Sequence, residues 1–377
     1  MRRGNRSSDM KILIISPKNK TVFNFRGDLI KDMIARGNEV YVVGPNREFV
    51  DDVLALGVKE FIEVALVKDN TSVSGDFKYL RKLVKVMKEV KPDLVFAYTI
   101  KPVVYGAIAA KKAGVKKIFP MVTGLGRVYA SESLKTKIVR FVTRILYKKA
   151  FKGCERVLFQ NGDDVREFVE GGYLPQSKTA VVNGSGVNMT RFYRSELPEK
   201  PVFMMVSRII KEKGILDFAQ AARIVKKQVP EARFVILGGY DKSIGALKEE
   251  DLKEYIDDGS IELPGEVKDP VAFYGKCSVF VLPSYYREGL PRTILEGMSC
   301  GRPIVTTDWV GCREPIVDGV NGFLVPVKNP EELAKKMYIL ATDRQKLLEM
   351  ADAAYNTCKE KYEVGIVNAQ MREIMKY

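Results

Sequence analysis

Val279-Phe280-Val281-Leu282-Pro283-Ser284, followed by Arg287-Glu288-Gly289-Leu290-Pro291-Arg292-Thr293-Ile294-Leu295-Glu296, reads as an apolar strand that feeds the start of a helix. Pro291 suits a first helical turn, and the residues from Thr293 to Met298 continue with helical spacing. A helix start leaves backbone N–H groups without intrahelical partners, and its dipole favours an anion there. Glu288 and Glu296 flank that start and can accept hydrogen bonds from hydroxyls on either side of a phosphate. The pattern suits a sugar nucleotide, which has phosphates in its middle and polyols at both ends. In isolation, two such glutamates would merely help a helix begin and solvate its face.

The same alternation extends outward through the chain. Strand-like runs at residues 11–16, 39–43, 59–64, 94–98, 118–122, 156–160 and 179–182 are separated by stretches long enough for a helix. After Glu196-Leu197-Pro198-Glu199-Lys200-Pro201, which reads as a linker, the pattern restarts at 202–206, 234–237, 261–263, 279–282, 304–307 and 322–325. The expected fold is α/β: two doubly wound Rossmann-like domains, at 10–194 and 200–361, facing across a cleft, with ligands at the carboxyl ends of the strands. The first ten residues read as an unstructured leader, with a second methionine, Met10, just before the first strand.

Composition narrows the chemistry. The chain has 377 residues and no histidine, which removes Ser-His and Cys-His nucleophile pairs, His-ligated zinc and an imidazole base together. No Asp-x-Asp metal clip occurs, so transfer chemistry is expected to run without a metal. Five scattered cysteines without a CxxC pair or a secretory leader suggest free thiols in a reducing cytoplasm, and no apolar run approaches a membrane span. The whole +15 charge excess falls in residues 1–190, and residues 101–150 carry twelve basic side chains against one acidic, Glu132. That density points to a polyanionic surface as partner. No nucleic-acid-binding motif accompanies it.

Several loops follow strands and so belong at the ligand edge. Arg208 and Lys213-Gly214 come after the run 202–206, and two cations there can neutralise a diphosphate and the charge it gains as a leaving group. In the first half, residues 16–28, including Asn24 and Gly27, read as a loop from the first strand to a helix; the loop is neither GxGxxG nor a Walker sequence. Lys101 with its neighbours, and Thr123-Gly124, follow two further strands. Residues 134–152 hold seven cations and no anion: Leu134, Ile138, Phe141, Val142 and Ile145 recur at helical spacing, with Lys137, Arg140, Arg144 and Lys148 elsewhere on the wheel. A basic amphipathic helix on anionic lipid and a core-packing helix with a solvated face both fit. A second basic helix at 77–88 favours the membrane.

These parts together resemble family-4 retaining glycosyltransferases of the two-domain B fold, over nearly the whole chain. The resemblance rests on Ser207-Arg208, Lys213-Gly214, Val281-Leu282-Pro283-Ser284, Glu288-Gly289-Leu290-Pro291 through Glu296, Gly301-Arg302-Pro303-Ile304-Val305 and Asp318-Gly319-Val320-Asn321-Gly322. It implies that Arg208 and Lys213 grip the donor's diphosphate, Glu288 the donor sugar and Glu296 the ribose. Gly265 and Val267 would lie near the base, Gly27 and the Gly289-Leu290-Pro291 backbone against the donor, and residues 362–377 would cross back to the first domain. The first half is most similar to bacterial enzymes that lengthen undecaprenyl-diphosphate-linked sugars in N-glycan, O-antigen or capsule assembly. That implies a UDP-sugar donor, a polyprenyl-diphosphate-linked acceptor met by Asn24, Lys101, Thr123 and Gly124, and a peripheral position on the inner membrane face. Many relatives place a histidine near the donor where this chain has Thr123-Gly124, so no imidazole contact is assigned. A sugar-nucleotide epimerase of the same fold and a non-catalytic nucleotide-sugar-binding subunit are the competing expectations.

Overall fold

The computed structural model describes residues 10–66, 73–126, 134–240, 245–267 and 269–377, and leaves the side chains of residues 73 and 134–138 undescribed. Two compact units result: residues up to Ser185 with Val367–Tyr377, and Gly186–Ile366.

In the first unit the chain runs β1 (Lys11–Ile15), α1 (Asn19–Ala35), β2 (Glu39–Gly44), α2 (Val50–Leu54), β3 (Glu60–Glu63), α3 (Val73–Val90), β4 (Leu94–Tyr98), α4 (Ile100–Lys112), β5 (Lys117–Met121), α5 (Leu134–Phe151), β6 (Val157–Phe159), α6 (Gly162–Glu170) and β7 (Thr179–Val181). The strands form a parallel sheet in the order β3-β2-β1-β4-β5-β6-β7. Alternate residues of β1 serve opposite faces, as the pleat requires: Leu13 and Ile15 enter one core, Ile12 and Ile14 the other.

The second unit continues with β8 (Val202–Val206), α7 (Ile215–Lys226), β9 (Arg233–Leu237), α8 (Glu250–Asp257), β10 (Glu262–Gly265), α9 (Val271–Tyr274), β11 (Val279–Leu282), α10 (Arg292–Ser299), β12 (Ile304–Thr307), β13 (Gly322–Val325), α11 (Pro330–Thr342) and α12 (Arg344–Lys361). Its parallel sheet has the order β10-β9-β8-β11-β12-β13. The order reverses at β8 and β11, which pair through Val279 with Phe203 and Phe280 with Met204. Loops leaving these two neighbours diverge, and such a switch point is where doubly wound sheets hold ligands.

The unit boundary departs from the sequence reading, which ended the first domain at 194 and made residues 196–201 a linker. Val187 and Phe192 bury in the second core. Arg302, fully buried, donates to Ser195 O at 2.8 Å, Ser195 Oγ at 2.6 Å, Glu196 O at 3.3 Å and Tyr274 O at 2.9 Å. A buried guanidinium needs acceptors, and these carbonyls supply them, so the segment is strapped to the second unit. The last helix, α13 (Val364–Met375), sends Met371 and Met375, with Tyr377 beyond it, into the core that holds Leu29, Ile30 and Met33 of α1. Asp32 of α1 accepts from Tyr377 Oη at 3.0 Å and Arg372 Nη1 at 3.3 Å.

Candidate active site

The switch point of the second sheet brings Lys213 beside Glu288. After β8 the chain makes a tight turn at Lys211–Lys213 and enters α7 at Gly214, where φ is +75°. A Cβ at Gly214 would collide with the carbonyl of Pro283 at the end of β11, so only glycine lets the turn press against that strand. Lys213 Nζ then forms an ion pair with Glu288 Oε1, the two side chains being 14% and 15% exposed. Its ammonium also lies 5.6 Å from the centre of the Tyr286 ring, and Ser284 Oγ shares its one proton between Glu212 O at 3.3 Å and Glu288 Oε1 at 3.4 Å. Partly withdrawn from water, the charges act on a bound group with less screening than surface charges would.

Glu296 occupies a different setting. Pro291 is the N-cap of α10, with φ −64° and ψ 114°, so the helix starts one residue later than the sequence suggested and Glu296 falls in its second turn. The carboxylate is 8% exposed; Tyr274 Oη donates to Oε2 at 3.0 Å and Arg292 Nε to Oε1 at 3.2 Å. Burial pushes its pKa up, against the opposing pull of Arg292 and Tyr274. The i,i+4 spacing of Arg292 was visible in the sequence; Tyr274, on α9, was not.

The remaining candidates on this sheet follow the same edge. Arg208 is exposed just beyond β8. Gly265, with φ +91°, ends β10, its carbonyl accepting from Gly238 N at 3.0 Å, and Val267 packs against the core two residues on. Gly289, Leu290 and Pro291 are buried in the turn into α10.

In the first unit, residues 19–28 are helical rather than loop: α1 begins at Asn19, which puts Asn24 and Gly27 well inside it. Gly27 is buried, facing Leu56, where an added Cβ would stand 3.2 Å from Leu56 Cδ2. Lys101, in the first turn of α4, is ion-paired with Asp76 at 2.9 Å, and Tyr105 Oη donates to the same carboxylate at 2.7 Å. Thr99, just before it, has φ +68°, a conformation a β-branched residue rarely adopts. Thr123 and Gly124 follow β5 and are partly buried. Sequence reasoning missed Arg26, which is 4% exposed on α1, lies 5.6 and 5.2 Å from the rings of Phe96 and Tyr98, and donates to Met121 Sδ at 2.9 Å.

Helix α5 packs inward through Tyr147, Ala150 and Phe151. Phe141 is 64% exposed, Val142 50% and Ile145 52%, interleaved with Arg140, Arg144 and Lys148. The side chain of Lys137 lies outside the described residues. No helix among the described residues is long and apolar enough to cross a membrane, and none of their His, Cys, Asp and Glu side chains group in threes as a metal site would require. All five cysteines are buried free thiols.

Two parallel Rossmann-like sheets, with Lys213 and Glu288 paired at the switch point of the second, place the chain among two-domain doubly wound α/β proteins. Residues 11–161 match the family described as glycosyl transferase 4-like, and residues 200–343 the one described as glycosyl transferases group 1. The chain is 31% identical, over 92% of its length and 93% of the relative's, to the N,N'-diacetylbacillosaminyl-diphospho-undecaprenol alpha-1,3-N-acetylgalactosaminyltransferase of Campylobacter jejuni. To the UDP-Gal:alpha-D-GlcNAc-diphosphoundecaprenol alpha-1,3-galactosyltransferase of Escherichia coli it is 29% identical, over 80% of this chain and 78% of that one. Anabaena Alr3699/HepE, solved in complex with UDP-glucose, shares the fold with a TM-score of 0.79 at 20% identity, covering 97% of this chain and 99% of that one. This chain belongs to the group 1, family-4-like glycosyltransferases.

Proposed function

We propose that this enzyme transfers a hexose or N-acetylhexosamine from a UDP-sugar, with retention at the anomeric carbon, to a saccharide carried on a polyprenyl diphosphate. The observation that carries the reading is the Lys213–Glu288 pair at the second sheet's switch point. Lys213, with Arg208, neutralises the donor diphosphate as the bond from anomeric carbon to phosphate oxygen breaks. Glu288 accepts from hydroxyls of the departing sugar. The acceptor oxygen bonds to the same face of that carbon, and its proton passes to the leaving phosphate, so no protein base is required. Glu296 holds the ribose, Gly289-Leu290-Pro291 line the approach, and Gly265 and Val267 flank the base.

The acceptor class is supported by two relatives, both of which act on undecaprenyl-diphosphate-linked sugars. The first domain, with Asn24, Lys101, Thr123 and Gly124 on its acceptor side, takes that lipid-linked saccharide at the inner face of the cytoplasmic membrane. The exposed Phe141 and Ile145 among Arg140, Arg144 and Lys148 support lipid contact, since apolar side chains enter the interface while cations meet anionic headgroups.

A panel of UDP-sugars with a polyprenyl-diphosphate-linked acceptor tests this, scored by UDP release and product mass with and without EDTA. One UDP-hexose or UDP-N-acetylhexosamine should yield UDP and an acceptor heavier by one sugar, at a rate EDTA leaves unchanged. Interconversion of UDP-sugars without UDP release would make the enzyme an epimerase. Loss in EDTA with recovery in Mg²⁺ or Mn²⁺ would overturn the metal-free mechanism.

A further inference from the structure

The residues after β12 have no role in the mechanism above, yet they touch its centre. β12 pairs with β11, Thr306 opposite Leu282, so Thr307 at the strand's end and residues 308–312 beyond it lie beside the loop that carries Glu288. Thr307 Oγ1 donates to the carbonyl of Ser284, Cys312 Sγ lies 3.9 Å from the same oxygen, and the Ser284 hydroxyl shares its proton between Glu212 O and Glu288 Oε1. At Gly311 the two backbones meet. Its φ is +80°, and a Cβ there would stand 2.6 Å from Gly289 O, 2.7 Å from Glu288 O and 2.9 Å from Glu288 Cβ. Those distances are shorter than carbon contacts allow, and two of the obstructing atoms are backbone. Any side chain at 311 must therefore force its own segment and the backbone of Glu288 and Gly289 apart.

We propose that Thr307 and Gly311 are positioning residues for Glu288, fixing its carboxylate where it meets both Lys213 and the transferred sugar. The inference rests on the reading of Glu288 as the sugar contact. A carboxylate tied through Ser284 to Thr307, and through its own backbone to Gly311, arrives at the sugar already placed. Displacement by about 1 Å can cost about two orders of magnitude in rate. The ribose contact assigned to Glu296 lies in α10, away from Thr307, so UDP itself should bind undisturbed in Thr307→Val, whereas Gly311→Ala also displaces Gly289, which lines the donor. The chain's single tryptophan, Trp309, stands within the segment, its indole N–H buried without a hydrogen-bond partner. Its emission reports any change there.

The test compares full-length Gly311→Ala, Thr307→Val and Thr307→Ser with wild type in turnover, UDP affinity and Trp309 emission. Gly311→Ala should lower kcat about 100-fold and Thr307→Val about 10-fold, Thr307→Ser should restore it to within about twofold, and UDP affinity should stay within about twofold in both Thr307 variants. In wild type the UDP-sugar should change Trp309 emission and UDP alone should not. Folded variants with wild-type kcat would overturn the proposal, as would UDP affinity falling in step with turnover in Thr307→Val, or an emission unmoved by saturating donor. Should Gly311→Ala fail to fold, the threonine pair decides. Should wild type turn over no donor, the function reading falls separately. The positioning claim then stands if Thr307→Val loosens UDP-sugar and not UDP, and falls if it loosens both or neither.

Discussion

Glu296 is costly to keep charged and is kept in place nonetheless. Burial raises its folded pKa above the ordinary 4.5, so the folded state holds the proton more tightly than the unfolded chain. The stability this group contributes is full below the unfolded value and is lost as pH rises through the folded one. Glu296→Gln mimics the protonated form. Its melting temperature at neutral pH should equal or exceed that of wild type, with the difference vanishing in acid, while UDP affinity falls about tenfold for the lost charge-assisted hydrogen bonds. A lower melting temperature with unchanged UDP affinity would make Glu296 a structural residue. The loops that carry Glu288 and Lys213 were legible in the sequence because each runs from a strand to the start of a helix. Tyr274 as the partner of Glu296 was not, since only tertiary packing brings α9 against α10.

At the scale of elements, α5 carries the sharpest prediction. Each cation near an anionic surface contributes about 1 kcal/mol, screened by salt, whereas burial of Phe141 and Ile145 does not weaken with salt. Changing Arg140, Arg144 and Lys148 to glutamate should abolish co-sedimentation with anionic vesicles. Phe141→Ser with Ile145→Ser should leave binding that disappears entirely at high salt. A folded triple variant that still binds would return α5 to a packed helix with a solvated face. Its basic, amphipathic character was legible; which apolar residues face inward was not, because Tyr147, Ala150 and Phe151 share the helix with the exposed Phe141 and Ile145. The start of α1 was hidden for another reason. Its N-cap is Lys18, without a side-chain cap, and Arg26 sits on the buried face with Val22, Leu29, Ile30 and Met33, so both the start signal and the apolar stripe are broken.

For the whole molecule, the central strands such as β1, β4 and β11 were readable because buried parallel strands are continuous apolar runs bounded by turn residues, whereas the edge strands β3 and β10 are short, only partly buried and carry glutamates. The unit boundary was not. It depends on where Arg302 finds acceptors and where Val187 and Phe192 bury, and neither leaves a mark on local composition. The C-terminal segment completes the first core through Met371, Met375 and Tyr377. Losing a large buried side chain costs about 2–5 kcal/mol, against a total stability of about 5–15 kcal/mol for a domain. Deletion of Val367–Tyr377 should therefore abolish cooperative unfolding of the first unit, whereas Tyr377→Phe, which loses the bond to Asp32, should cost only about 1 kcal/mol. A truncated chain that melts like wild type would contradict this account of the core.

The central claim is that the Lys213–Glu288 pair is where transfer occurs. The most direct measurement is turnover of Lys213→Ala and Glu288→Ala under saturating donor and lipid-linked acceptor, with UDP affinity and circular dichroism measured on the same samples. Each variant should stay folded and lose about 100-fold or more in kcat, because each removes an interaction with the charge or hydroxyls of the reacting centre. Turnover within a few-fold of wild type in either folded variant would contradict the assignment.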